Sequence, residues 1–214
     1  MSGDVKRGYR SDVRAAQARE TRHRIVAAAT RLFVENGYGA ATIDAIADAA
    51  QVSRKTVFTS VGGKIDVLTL AVNWAVAGDD AEVPIAERPD TRRALSGDDP
   101  AEMLRACAAV MAQINGRVAD LHRALEVAAG VDDQASTLLE TLRAQRLADA
   151  RTIARRLREL GALHGRRGHT EAVDVLALAC DPHPFDVLVR QRGWTQTRYA
   201  RWLGDSLVRQ LLDG

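Results

Sequence analysis

Two cysteines, Cys107 and Cys180, are the only thiols in 214 residues. That is too few for a disulfide framework or a cysteine metal cluster, so two buried thiols in a reducing compartment are expected. Long apolar runs are missing as well. The longest uncharged stretch, Val67–Gly78, falls well short of the ~20 residues that span a bilayer. No apolar run follows the basic N-terminus, which excludes a secretory signal. A soluble, cytoplasmic chain without a membrane partner is expected. No β-alternation persists anywhere, and no internal repeat is visible. There is no Gly-rich phosphate loop, nucleophile elbow or paired-carboxylate metal motif. Catalysis has no candidate residue, no cofactor is called for, and an enzyme is not expected.

What is present is an ordinary globular composition, 46% apolar and 27% charged. A chain of this length buries most of its apolar surface without a metal or disulfide staple. The net charge of +2 hides an uneven distribution. Residues 1–66 carry eleven basic against seven acidic side chains, and the remainder nineteen against twenty-one. One end therefore suits a polyanion.

The first ~15 residues lack apolar periodicity. With Lys6, Arg7, Arg10 and Arg14 they read as a flexible basic arm over 1–17, supplying non-specific attraction to phosphate or entering a minor groove. From Ala18 a helix is expected, because Ile25, Ala28, Ala29, Leu32 and Phe33 recur at helical spacing. Asn36-Gly37 stops it. Thr42 is an N-cap for a short helix to Ala50, and Ser53 caps another over Arg54–Thr59. Gly62-Gly63 breaks the chain before a helix over Lys64–Val76. Residues 78–100, acidic and interrupted by Gly78, Pro84, Pro89, Gly97 and Pro100, form an irregular connector with one helical turn near Thr91–Leu95. Helices are then expected at 101–114, 116–129, 133–161, 170–180, 182–191 and 195–212. Asp181-Pro182 sets an N-cap before a proline at the first helical position. The expected fold class is all-α: an N-terminal helix-turn-helix domain over 18–66 joined to a larger helical domain over 67–214.

The two short helices have helix-turn-helix dimensions. Ala45, Ala47, Ala49 and Ala50 give the first a small face on which the second lies close, and Val52 plugs the turn against Phe33 and Ile46. The second presents Arg54 and Lys55 at its leading end, with Thr56 and Thr59 one turn along, which suits entry into a major groove.

Ile25 to Ala29, Leu32-Phe33, Asn36-Gly37-Tyr38, Ala41-Thr42, Ile46-Ala47, Ala50, Val52-Ser53, Thr56-Val57-Phe58, Lys64 and Leu68 together resemble the N-terminal domain of TetR-type transcriptional regulators. The resemblance covers about a fifth of the chain. Ala-Cys-Asp-Pro at 179–182 and Arg-Gly-Trp at 192–194, followed by Tyr199 and Trp202, resemble more weakly the C-terminal part of some members. The resemblance implies phosphate contacts from Thr42 and Lys64, and base or phosphate contacts from Ser53, Arg54, Lys55, Thr56, Phe58 and Thr59. Three departures stand out. Phe58 replaces a usual Tyr and lacks the hydroxyl that bonds phosphate, although Phe58 and Val61 are expected to bury apolar surface. Thr59, Ser60 and Val61 replace aromatic positions, and Gly62-Gly63 replaces Pro-Ser.

Further along, Met103, Cys107, Val110, Met111 and Ile114 make a soft apolar stripe, with Leu121, Leu125, Leu139, Leu142 and Phe185 able to face it. By the family analogy this is an effector pocket, with Met103, Cys107, Met111, Leu125, Leu142 and Phe185 as its candidate residues; core packing is the alternative. Trp194, Tyr199, Trp202, Leu203, Leu207 and Leu211 load the last helix with apolar area, marking a dimer face with 170–180 or packing within the chain's own core. His122 and Glu126, four apart, read as an exposed polar pair rather than metal ligands, since a third ligand is missing. His164 and His169 flank Gly165 to Gly168 in a solvated loop. The expected protein is a homodimeric, ligand-responsive repressor of a near-palindromic double-stranded operator, with a small-molecule effector. Its rivals are an effector-less DNA-binding module and a small all-α enzyme.

Overall fold

A computed structural model describes residues 3–163 and 165–212. Side chains are described from Val13 onward, apart from those of 164–167 and 213–214. The described residues form helices α1 (Gly3–Ala40), α2 (Ile43–Ala49), α3 (Arg54–Ser60) and α4 (Lys64–Ala77). A single 3₁₀ turn (Ile85–Glu87) and α5 (Pro89–Leu95) follow in the connector. The long α6 (Pro100–Ala129) and α7 (Asp133–Glu159) come next, then α8 (Gly165–Ala179). The chain closes with α9 (His183–Phe185), a π-helical segment (Asp186–Gln191) and α10 (Gln196–Leu211). No strand occurs among the described residues, and no helix there is long and apolar enough to cross a membrane.

Three stretches differ from expectation. The segment 1–17, expected as an arm, is helical from Gly3 onward, continuous with α1. Residues 13–20 are exposed, so local helix propensity rather than burial holds them, and apolar periodicity could not signal it. The helices expected at 101–114 and 116–129 are one. Asn115 and Gly116 serve packing instead of a break. The Asn115 amide donates to the Asp181 carbonyl (3.3 Å), and a Cβ on Gly116 would stand 3.0 Å from Gln196 Oε1. The loop expected at Gly165 to Gly168 is the first turn of α8, while His164 lies outside the described residues.

The core falls into two apolar clusters. One joins α1–α4 to the second half of α6 and the first half of α7, through Phe33, Ile46, Val57, Leu68, Leu125 and Leu139. The other gathers the remaining halves of α6 and α7 with α5, α8, α9 and α10, through Leu104, Leu157, Leu176, Phe185 and Tyr199. Helices α6 and α7 thus run from the helix-turn-helix end to the far end of the molecule.

Candidate nucleic-acid interface and effector cavity

Both short helices begin as their sequence dictates. Thr42 is extended at φ −85° and its hydroxyl accepts from the Ala45 amide (3.1 Å); Ser53 does the same for Thr56 (3.0 Å). Each cap satisfies an amide that a helix start leaves without a partner. Ile46, Ala47 and Val57 are buried between the helices, and Val52 packs against the same cluster as Phe33. The turn itself needs Gln51 at φ 55°.

This packing leaves the leading end of α3 in solvent. Ser53, Arg54, Lys55 and Thr59 are exposed and Thr56 is half-buried. Arg54 is not free: its guanidinium donates to Asp44 Oδ2 (2.6 Å) and lies 5.5 Å from the centroid of the Phe58 ring. Phe58, expected to bury apolar surface, is 47% exposed, because Val57 takes the inward position on so short a helix. The Thr59 hydroxyl donates back to the Lys55 carbonyl (3.0 Å). Among the cations expected in the arm, Arg14 is exposed; the side chains of Lys6, Arg7 and Arg10 lie outside the described part.

Lys64 sits differently from α3's cations. Its ammonium stands 4.1 Å from the centroid of the Tyr38 ring and donates to the Gly39 carbonyl (3.3 Å). Partial burial lowers its pKa from the ordinary value. Tyr38 in turn donates to Asp132 Oδ2 (2.9 Å), the N-cap of α7. Tyr38 reaches this place because the chain turns at Gly37, whose φ of 77° and ψ of 166° suit glycine alone. The Gly62-Gly63 pair is equally specific. Gly62 has φ 129°, and a Cβ there would collide with the Asp66 carboxylate, which accepts from the Gly63 amide (2.7 Å).

A second set of polar contacts ties α1 and α4 to the connector. Arg19 and His23 both meet Asp80, and Arg88 pairs with Asp79 (2.8 Å). Arg117 of α6 donates to the Ala75 and Val76 carbonyls, both at 2.8 Å, gripping the end of α4. Beside these contacts opens a cavity of about 1020 Å³ between α4, the connector, α6 and α7. Cys107, Val110, Met111, Ile114 and Leu142 line it. Met103, Leu125 and Phe185, expected with them, lie in the packed core. Met103 and Leu125 on α6 and Phe185 on α9 pack against neighbouring helices rather than the cavity, a distinction that apolar spacing in the sequence does not reveal.

Sequence reasoning missed the cavity's polar wall of Asn115, His122, Arg146 and Asp149. His122, expected exposed, is 3% exposed, and its Nε2 is 3.6 Å from Glu126 Oε1, too far for a hydrogen bond. Burial, then the nearby Arg146 charge, lowers its pKa, so the ring is neutral at pH 7. Burial also pushes the Cys107 and Cys180 thiols up to about 12, leaving both protonated and unreactive. At the opposite end of the molecule, Tyr199, Leu203 and Leu207 are buried against the chain's own core, whereas Trp202 and Leu178 are exposed. Among the described residues no three His, Cys, Asp or Glu side chains group as a metal site.

Comparison with known proteins places this arrangement. Residues 25–68 match the family described as bacterial regulatory proteins, tetR family. The HTH-type transcriptional regulator TtgW of Pseudomonas putida is 48% identical over 54 residues, 25% of this chain and 40% of that one. HbdR of Aromatoleum sp. is 40% identical over 65 residues, 30% of this chain and 28% of the relative. The chain thus matches two fifths or less of these relatives' length. Over the whole chain the likeness is one of fold. A crystal structure described as a TetR-family regulator from Syntrophomonas wolfei superposes with a TM-score of 0.72 at 16% identity, covering 90% of this chain and 95% of that one. A transcriptional regulator from Rhodococcus sp. gives 0.63 at 22% identity, covering 90% and 96%.

Proposed function

We propose that this chain, which carries a TetR-type N-terminal domain on the fold those regulators share, is a ligand-responsive DNA-binding repressor that works as a homodimer. The observation that carries the reading is the leading end of α3, capped by Ser53, with Arg54 and Lys55 exposed and Arg54 reaching Asp44 in the first turn of α2. Two such helices about one DNA turn apart, ~34–36 Å, would read the halves of a near-palindrome. Thr42 and Lys64 would hold phosphate, and Arg54 or Lys55 would read bases, a bidentate guanine contact contributing ~1–3 kcal/mol of discrimination.

The cavity favours an effector over a module that only dimerises. Its wall includes Leu70, Trp74 and Ala77 of α4, which begins at Lys64. A ligand there bears on the helix that carries a phosphate-holding residue. To release DNA it must prefer the DNA-incompetent arrangement; a hundredfold preference corresponds to ~2.7 kcal/mol. For the dimer, the exposed Leu178 of α8 and Trp202 of α10 support a contact through those two helices.

Selection of bound sequences from a random DNA pool tests the reading. A near-palindrome is expected from the native protein, and Arg54→Ala and Lys55→Ala are each expected to lose selectivity while remaining dimeric. Recovery of the same sequence by both variants would remove α3 from the groove.

A further inference from the structure

The cavity's charges identify the chemistry of its occupant, an inference that rests on the effector reading above. Asp149 of α7 borders the cavity, and no hydrogen bond or ion pair from a described residue reaches its carboxylate. The cations on the same lining are engaged or outside: Arg146 is bound to Asp181 (3.2 Å), Arg19 to Asp80, and Arg22 is exposed. Asp79 is likewise balanced by Arg88. Asp149 and Glu82 therefore remain on the acidic side against Arg22 alone. His122 adds a second unmet group on the same polar wall, a buried Nε2 with no hydrogen-bond partner among the described residues. Much of the remaining lining is apolar, with Val110, Met111, Ile114, Leu142 and Ile153, and Asn73, Thr91, Asn115, Gln145 and Thr152 add neutral polar groups.

We propose that the cavity takes a chiefly apolar molecule carrying one amine cation, whose ammonium pairs with Asp149. Burial without a cation raises the Asp149 pKa above its ordinary value, and an ammonium supplied by the ligand restores the ionised form. An ammonium has three donors and no acceptor, so it matches a carboxylate, and it matches the His122 ring in the tautomer that leaves Nε2 without a proton. An anionic ligand would face Asp149 with Arg146 already committed to Asp181. A neutral one would leave the carboxylate without its counter-charge.

Titration calorimetry with three matched probes decides between them: biphenyl-4-ylmethylamine, biphenyl-4-ylmethanol and biphenyl-4-carboxylate. With the full chain, the amine is expected to bind about tenfold more tightly than the alcohol, the worth of one charge-assisted hydrogen bond, and the carboxylate weakest. Asp149→Asn should bring the amine down to the level of the alcohol, with thermal melting confirming that the variant is folded. An amine no better than the alcohol, an advantage that survives Asp149→Asn, a carboxylate that binds tightest, or no binding by any probe would each overturn the proposal. Operator binding measured alongside separates this from the regulatory reading. An amine that binds as expected yet leaves DNA bound supports the ligand class and removes the effector role. A different compound that releases DNA while the amine shows no preference does the reverse.

Discussion

In the proposed complex Arg54 would meet the duplex already holding a partner. Its 2.6 Å ion pair with Asp44 joins side chains 58% and 62% exposed, and such a pair contributes about 0–1 kcal/mol. A bidentate guanine contact would contribute ~1–3 kcal/mol, so DNA would win the competition and Asp44 would be released toward solvent beside the phosphates. Asp44→Asn should therefore tighten DNA binding by up to about fivefold, the upper end of that pair energy. The gain should shrink as salt rises. Fluorescence anisotropy on labelled duplex at two ionic strengths measures both. A loss of affinity would instead show that Asp44 orients Arg54 for the groove. The sequence displays both residues but not their meeting, because they lie ten positions apart across the turn with no helical period to relate them. Ser53 and Thr42 are the opposite case: a cap acts within three residues, so position alone announces it.

Among the elements, the joint between the turn after Gly37 and the start of α7 couples the two ends of the first core cluster. Asp132 accepts from Tyr38 and from the Gln134 and Ala135 amides. The Tyr38 hydroxyl first, then the Ala135 amide, hold its carboxyl below the ordinary 3.8. A depressed carboxyl stabilises the fold fully above its unfolded pKa and loses that contribution as pH falls through the folded one. Melting temperature should thus hold near neutrality and fall from about pH 4 downward. Asp132→Asn keeps a good capping residue but carries no charge, so it should start lower and lose less over the same interval. Parallel acid-range melting curves for the two proteins would show it; identical slopes would mean Asp132 titrates as in the unfolded chain. Helix α6 teaches a related lesson. Asn115-Gly116 has the local character of a break, yet the helix continues because the amide finds the Asp181 carbonyl and the missing Cβ admits Gln196. Those gains come from residues more than sixty positions away, which no local pattern contains.

The molecule as a whole leaves apolar surface exposed at Leu178 and Trp202, which the proposed dimer would cover. Leu178 is 69% exposed on α8 while its neighbours Leu176 and Ala179 are buried, so its side chain serves nothing within the chain. In the proposed dimer, Leu178→Glu should leave the fold intact and shift the protein from dimer to monomer. Sedimentation velocity at micromolar concentration reads the change, and cooperative operator binding should disappear with it. A variant that stays dimeric would move the interface elsewhere. The heavy apolar loading of α10 was ambiguous in the sequence between own core and interface. Tyr199, Leu203 and Leu207 went to the core, and Trp202 remained at the surface.

By itself the sequence determined the all-α class, the two caps, the break at Gly37 and the cationic leading end of α3. Each depends on forces acting within a few residues: an amide seeking a side-chain oxygen, a backbone angle open to glycine, an apolar stripe repeating every turn. The tertiary structure alone decided which of the soft residues on α6 border a cavity, that Asp149 faces it without a counter-ion among the described residues, and that Arg54 is held by Asp44. Burial and charge pairing depend on what a distant segment brings alongside, and only the packed helices supply that neighbour.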